Sequence, residues 1–400
     1  MIGGGPAGSF SAFELAKRGA TVSVFEEHSA VGFPLHCAGH LSIRSLRNLG
    51  LYPLPKGIVE NEFSAVNFYS ANGTKFSVHL AQPVTCAVNR TLFDKYLAEK
   101  AEAAGVSYFL NSRVKSLQIK DGVVRGVKVI QGDRTDKQVF AQIVVDAEGV
   151  SSRFTSQVGL PRPKRDGLVY AVEAEVENVH DVEERAVEVY VGSEYAPGFY
   201  GWLIPRLDGT AKVGLATKNG NPQEFMQKLI NKHPVASKQL HNAKVTHMAF
   251  HTITLGGPIK RAYASGFLAV GDAASQVKPT TGGGVIFSIT CAKIAAEVAS
   301  EALKRRDVSA EFLGLYQKRC MTALGFDVHV MLKIRKFLDA LSDEKIDKAL
   351  RFAARMGLGE ALRDVEEIDF QGRTLFRLMK KPSTYAVLVY FAGLYSSANP

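Results

Sequence analysis

Residues 3–8 read Gly3-Gly4-Gly5-Pro6-Ala7-Gly8 and open a helix-forming run, Ser9-Phe10-Ser11-Ala12-Phe13-Glu14-Leu15-Ala16. Gly19 breaks that run, and Thr21-Val22-Ser23-Val24-Phe25 reads as a strand ending at Glu26. In order, this is a glycine loop, a helix, a turn, a second strand and an acid, the fingerprint of a dinucleotide site. Gly3 permits the tight turn, Gly5 lets the backbone approach a pyrophosphate, and Gly8 allows the helix to pack closely. The helix N-terminus around Ala7 offers unpaired N–H groups to an anion. Glu26 stands where a carboxylate receives ribose hydroxyls, which suits FAD or NAD and disfavours a 2′-phosphate. In such a unit the loop leaves a buried strand of about five to six residues. Only Met1 and Ile2 precede Gly3, so the native chain is expected to begin several residues upstream.

Farther along, Asn89-Arg90-Thr91-Leu92-Phe93 opens an amphipathic helix with apolar positions 92, 93, 96, 97, 101 and 104, and Gly105 stops it. Strands are expected around 106–110, 114–120 and 123–130, the last two joined by Asp121-Gly122, a hairpin signal. Residues 139–146 read as one apolar strand entering Ala147-Glu148-Gly149. From about 168 to 250 the text changes to alternating strands with one helix over 222–231, which marks a second, largely antiparallel domain. Loop chemistry returns at Gly271-Asp272 and at Pro279-Thr280-Thr281-Gly282-Gly283-Gly284, ahead of a small-residue helix over 285–306. Beyond it the pattern is helical and charged. The longest apolar stretch, residues 385–395, is about half the ~20 residues a spanning helix needs. Packing as a terminal helix is favoured over a membrane interface, since no strongly cationic face accompanies it.

Four hundred residues correspond to two or three domains. With 46% hydrophobic and 22% charged residues the chain is neither disordered nor fibrous. Cysteines stand at 37, 86, 291 and 320 with no CxxC pair, so a reducing, cytoplasmic setting is expected and disulfides are not. No secretory signal opens the sequence. Lys and Arg exceed Asp and Glu by 49 − 39 = 10, which calls for an anionic partner.

The glycine loop with Glu26, the strand ending in Asp146-Ala147-Glu148-Gly149 and the Gly271-Asp272 segment with its Pro-Thr-Thr-Gly-Gly-Gly turn resemble the para-hydroxybenzoate hydroxylase-type flavoproteins. The resemblance implies an α/β fold, α+β overall. A Rossmann-like FAD-binding domain would comprise residues 1–60, 88–165 and 255–305. An antiparallel-sheet substrate domain would comprise 61–87 and 166–254, with a C-terminal helical region over 306–400. It implies that Arg90 contacts the flavin side and that Asp272 accepts a ribityl or ribose hydroxyl. Gly282, Gly283 and Gly284 would bring helix N–H groups to the edge of the flavin that becomes anionic on reduction. Glu148 stands where that family usually has Asp. Gly32-Phe33-Pro34-Leu35-His36-Cys37-Ala38-Gly39, Tyr200-Gly201-Trp202-Leu203-Ile204-Pro205 and the acidic stretch Val365-Glu366-Glu367-Ile368-Asp369-Phe370 narrow the likeness. They are similar to archaeal geranylgeranyl reductases, the digeranylgeranylglycerophospholipid reductases included.

Such enzymes saturate isolated double bonds of isoprenoid lipid chains with reduced FAD. An isolated alkene has no carbonyl to receive charge, so hydride delivery to one carbon requires a proton on the other, with positive charge developing between them. The resemblance makes Cys37 the candidate proton donor or relay. Tyr200, Trp202 and Pro205 become candidate substrate contacts, the ring faces stabilising positive charge. A lone cysteine is also a small core hydrophobe, and residues 200 and 202 alternate as any core strand does. Cys37 and His40 make at most half a metal site, so no metal is expected. Lys278 faces either the reduced flavin or water. No second glycine fingerprint is present for a stably bound nicotinamide, so the electron donor is ferredoxin or a reduced nicotinamide binding transiently. Prenylated glycerolipid is the expected substrate, with peripheral membrane contact and no nucleic acid. The alternative is a flavin monooxygenase or halogenase, because the Tyr200–Pro205 segment is also similar to the WxWxIP pattern.

Overall fold

Ile2 bridges two strands, Phe25 on one side and Asp146 on the other, both in parallel. Its N–H donates to the Val145 carbonyl at 2.9 Å, and its carbonyl accepts from Ala147 N at 2.8 Å. Ser107–Phe109 pairs with Ser23–Phe25, and Phe267–Ala269 pairs with Val144–Asp146, all parallel. The resulting spatial order in chain rank is third, second, first, fourth, fifth, a doubly wound sheet whose order reverses at Ile2. Ligands of such sheets bind at that reversal, outside the carboxyl ends of the strands. Both loops leaving the reversal, residues 3–8 and 147–149, are those picked out by sequence.

The computed structural model describes residues 1–34, 37–131 and 136–396. Its contacts divide the chain into one unit of residues 1–35, 90–168 and 254–328 and another of 36–89, 169–253 and 329–400. The break expected at 60/61 therefore falls at 35/36. Of the expected C-terminal helical region, residues up to 328 group with the first unit and those from 329 with the second.

In the first unit, helices Pro6–Ala16, Arg90–Ala103 and Val285–Arg305 cover the parallel sheet. Ser11 Oγ donates to the Ala292 carbonyl at 3.1 Å, joining two of them. Arg113–Lys120, Val123–Ile130 and Asp136–Phe140 form an antiparallel meander. Asp121 at φ 51° and Gly122 at φ 73° make its first turn, the left-handed pair that matches strand twist. The apolar run over 139–146 is two strands, not one. Asp136–Phe140 belongs to the meander and Val144–Asp146 to the parallel sheet; an apolar run alone does not say which sheet each half joins.

In the second unit a seven-stranded sheet runs in the order Lys244–Thr254, Leu168–Glu177, Ala211–Thr217, Tyr200–Pro205, Ala186–Val191, Ala65–Ser70, Lys75–His79. Ala186–Val191 and Ala65–Ser70 pair in parallel, while the pairings of Leu168–Glu177 with Ala211–Thr217, Ala211–Thr217 with Tyr200–Pro205, Tyr200–Pro205 with Ala186–Val191, and Ala65–Ser70 with Lys75–His79 are antiparallel. Leu203 points to one face, with Val213, Leu215, Met226 and Leu229. Trp202 and Ile204 point to the other, with Phe63, Ala87 and Val187. This period of two buries Ala211–Thr217 on both faces. The helix Asp343–Arg355 closes the edge, placing Ala353 with Phe76 and Val78.

Candidate functional site

Close packing requires two of the loop glycines, and a third faces open space. A Cβ on Gly3, at φ +87°, would lie 2.5 Å from the Ala147 carbonyl oxygen, and one on Gly8 would lie 2.0 Å from that of Gly3. These two hold the loop, the helix and the 147–149 turn together. A Cβ on Gly5 would touch nothing within 4 Å. Gly5 is the N-cap of Pro6–Ala16 with no side-chain cap, and proline occupies the first turn. The remaining first-turn N–H groups have no intrahelical acceptors, so open space lies over a positive helix end. A pyrophosphate fits there.

Glu26 follows the second strand and is 8% exposed. Gly4 N–H donates to its Oε2 at 2.7 Å, and His28 N–H donates to Oε1 at 3.0 Å, with His28 Nδ1 at 2.6 Å from the same oxygen. The carboxylate is thus locked against the glycine loop, where remaining lone pairs suit ribose hydroxyls. Behind it, buried Asp146 accepts from Glu148 N–H at 3.1 Å. Burial, aided by the Glu148 charge, pushes the Asp146 carboxyl well above its ordinary range.

The third segment reaches the same loop. Gly271 has φ +69°, and a Cβ there would lie 3.1 Å from that of Ala7. Gln276 holds the turn: its Oε1 accepts from Gly271 N–H at 2.8 Å and its amide donates to the Tyr316 hydroxyl at 2.6 Å. That hydroxyl donates to the Ala269 carbonyl at 2.9 Å. Asp272 Oδ1 is 3.1 Å from where a Gly284 Cβ would stand, and a Gly283 Cβ would meet the Lys278 stem at 2.6 Å. Gly282 N–H donates to the Lys278 carbonyl at 2.9 Å. Gly284 caps Val285–Arg305 without a side-chain bond. A second bare helix end therefore stands ready for negative charge.

Two expected cofactor residues have protein partners. Arg90 makes a two-pronged contact with Asp94 at 3.0 and 2.9 Å, which fixes its orientation at the helix start. Glu148 accepts from Ser151 Oγ at 2.6 Å, Arg153 Nε at 2.9 Å and Phe154 N–H at 2.8 Å. Its carboxylate holds the first turn of Arg153–Gln157.

In the second unit, Cys37 is a half-buried free thiol; Leu35 and His36 lie outside the described residues. The carbonyl of Ala38 accepts from Lys212 Nζ at 3.1 Å. The same ammonium donates to the Val88 carbonyl at 3.0 Å and to Glu60 Oε2 at 2.6 Å. Val88 N–H closes the set on the Gly39 carbonyl at 2.9 Å. Lys212 is 1% exposed, and an unpaired buried ammonium would cost several kcal/mol. Here its three donors meet three acceptors. Glu60 is also near Arg206, at 3.6 Å, and Arg206 pairs with Glu175.

Ala38 packs on the cluster of Phe63, Ala87, Val187 and Ile204 that also receives Trp202. The indole lies across Gly214, its register partner, where a Cβ would stand 2.4 Å from the ring. Trp202 Nε1 donates to Glu173 Oε2 at 3.2 Å. The Tyr200 ring stacks on Phe199 at 4.3 Å and meets Trp202 edge-on at 6.0 Å. Burial raises the Tyr200 hydroxyl above its ordinary pKa. Pro205 ends the strand, and its carbonyl accepts from Asn61 Nδ2 at 3.0 Å. The structure thus gathers the segment after Cys37 with Trp202, and Trp202 with Tyr200.

Cys86 is fully buried, and burial pushes its thiol up to about 12. Cys291 is hydrogen-bonded to Cys320, which with burial raises its pKa. Sequence reading missed Lys212, Glu60 and the Gln276–Tyr316 clamp. Lys212 did carry a signal, because a lone cation in the apolar run 211–217 must find an acid when both strand faces are buried.

An FAD binding domain model matches residues 1–319. A digeranylgeranylglycerophospholipid reductase 2 of Methanopyrus kandleri is 32% identical over 389 residues, 96% of each chain. A digeranylgeranylglycerophospholipid reductase of Methanocaldococcus jannaschii is 32% identical over 397 residues, 98% of this chain and 97% of that one. Among solved structures, a geranylgeranyl bacteriochlorophyll reductase-like protein from Thermoplasma acidophilum superposes with a TM-score of 0.86 at 24% identity, covering 98% of both chains. With its FAD binding domain and near-full-length kinship, the chain belongs to the digeranylgeranylglycerophospholipid reductase family.

Proposed function

We propose that this protein saturates isolated C=C bonds in the geranylgeranyl chains of archaeal-type glycerophospholipids, working at the membrane surface from the cytoplasmic side. The names of its near-full-length relatives support the substrate. The observation that carries the chemistry is the pinning of the Cys37-Ala38 segment by Lys212, in the cluster that holds Trp202.

Reduced FAD, when bound, supplies the hydride. The glycine loop and Glu26 would hold the dinucleotide, Asp272 would take a ribityl or ribose hydroxyl, and the helix end at Gly284 would favour negative charge on the reduced ring. Arg90, oriented by Asp94, would contact the flavin side from the helix start. The Cys37 thiol delivers the proton to the alkene carbon that does not take hydride. Tyr200 and Trp202 present ring faces to the positive charge that develops between the two carbons. Pro205 ends the substrate strand. Each bond reduced consumes one hydride and one proton, and an external donor, ferredoxin or reduced nicotinamide, restores the electrons.

The test is anaerobic stopped-flow mixing of chemically reduced holoenzyme with geranylgeranyl glycerophospholipid. Flavin reoxidation that depends on lipid concentration supports the reading. Reoxidation only on admission of oxygen would favour a monooxygenase or halogenase.

A further inference from the structure

Residues 371–396 contain Arg373, Arg377, Lys380 and Lys381 and no Asp or Glu. They form two helices, Gln371–Leu378 and Pro382–Ser396. On and just after the first, Arg373, Phe376, Arg377 and Lys380 are exposed at i, i+3, i+4 and i+7, one helical face. Phe376 is 64% exposed and Met379 is 45% exposed. An apolar tooth is therefore ringed by cations.

Three acids just upstream, Glu366, Glu367 and Asp369, each accept hydrogen bonds within the fold. Glu366 accepts from Arg44 at 2.9 Å and Gln82 at 3.0 Å. Glu367 accepts from the Asp369 and Phe370 N–H groups at 2.9 and 3.2 Å, and buried Asp369 accepts from Ser45. Lys381 donates to the Ala361 carbonyl at 2.6 Å and ties the junction between the helices down.

The second helix carries no charged residue. One face packs: Thr384 and Val387 are buried, and Tyr390 stacks on Phe352 at 4.0 Å. The other face leaves Tyr385 59% and Val389 54% exposed, with Gly393 continuing the stripe at i+8. Among the described side chains, Thr384, Val387 and Tyr390 pack while Tyr385 and Val389 are exposed, and the cations lie on the helix before it in the sequence. At 1.5 Å per residue it is about 22 Å long, too short to cross a hydrocarbon core of about 30 Å. No helix of the described residues is long and apolar enough to span a membrane.

We infer that residues 371–396 are the element that seats this protein on an anionic lipid surface. Arg373, Arg377 and Lys380 lie at the headgroups, and Phe376, Met379, Tyr385 and Val389 enter the acyl boundary. A second copy of the same face would be repelled by its own cations. An acidic protein would satisfy the cations but leave four apolar side chains with no apolar phase. The choice of lipid as partner builds on the substrate reading above, but the binding itself needs no turnover.

Holoenzyme co-sedimentation tests the inference, with vesicles of equal phosphatidylglycerol and phosphatidylcholine set against phosphatidylcholine alone. Wild type is expected to partition to the anionic vesicles and to lose that binding at 1 M salt, where the Debye length is about 3 Å. The triple variant Arg373→Gln, Arg377→Gln, Lys380→Gln should lose about fivefold in partition per cation. The pair Phe376→Ser, Val389→Ser should lose about tenfold or more from the apolar contribution. FAD content, melting temperature and reduction of detergent-dispersed lipid should stay at wild-type values in both. Wild type that ignores anionic vesicles, or binds only an acidic protein, overturns the inference, as do variants that bind like wild type. Normal vesicle binding without lipid reduction would leave the docking surface standing and remove the reductase reading instead.

Discussion

Lys212 Nζ lies 2.6 Å from Glu60 Oε2 inside the sheet unit, and the same ammonium holds the carbonyl of Ala38, the neighbour of Cys37. Replacing Lys212 by Met leaves a mostly buried carboxylate and two carbonyls without their donor. The expected loss is ~3–5 kcal/mol of stability, read by urea denaturation of that variant. Lys212→Met with Glu60→Gln should recover part of the stability, because no uncompensated charge remains. Its turnover should stay low, because the Ala38 carbonyl has then lost its ammonium donor; full recovery of turnover would show that the clamp serves folding alone.

The glycine loop separates cofactor binding from folding. Gly5→Ala adds a methyl into open space at an ordinary backbone angle, so the melting temperature of the apoprotein should hardly move. FAD affinity should fall about ten- to hundredfold, the cost of losing one hydrogen bond to a charged phosphate. Gly8→Ala should do the reverse at the level of the fold, because its methyl would meet the Gly3 carbonyl at 2.0 Å. A loss of ~1–3 kcal/mol is expected, measurable in the apoprotein.

Trp202 and Gly214 are partners across two strands. Gly214→Ala drives a methyl into the indole and should cost ~1–3 kcal/mol. The smaller ring in Trp202→Phe should relieve part of that cost. A double-mutant cycle is expected to give a coupling of ~0.5 kcal/mol or more, and simple additivity would mean the ring does not lie on Gly214.

Two buried groups give the sheet unit opposite pH slopes. His233 accepts from the Val235 and Ala236 N–H groups through Nδ1 at 3.2 Å each, and its Nε2 is 3.0 Å from the Ser70 carbonyl. Burial lowers its pKa from 6.5, opposed by the Ser70 bond. Its contribution is full above pH 6.5 and is lost as pH falls through the lower folded value. Burial raises Glu188 from 4.5, opposed by its bonds to Tyr190 and Gln239. That contribution is full below pH 4.5 and is lost as pH rises through the higher folded value. His233→Gln should therefore flatten the acid side of a melting-temperature profile, and Glu188→Gln the side above pH 4.5.

These residues show what was legible in the sequence. The loop from Gly3 to Gly8, Glu26, Gly271-Asp272 and the glycines at 282–284 could be read because loop, helix start and acid lie close along the chain. Lys212 and Ala38 are separated by 174 positions, and no local spacing connects them. The Gln276–Tyr316 clamp was hidden for the same reason. Residues 139–146 misread as one strand because both halves are apolar and only the pairing assigns them to different sheets. The place of Glu148 in a motif points to the cofactor, and the sequence does not show what its side chain holds. Its side-chain partners, three to six residues away, show a helix cap.

The central claim is tested most directly by the mass of the lipid after one anaerobic turnover. Holoenzyme reduced in the absence of oxygen and mixed with substoichiometric geranylgeranyl glycerophospholipid should add about two mass units per double bond, with oxidised flavin appearing in equal amount. Lipid of unchanged mass, or lipid altered only after oxygen enters, would contradict the account.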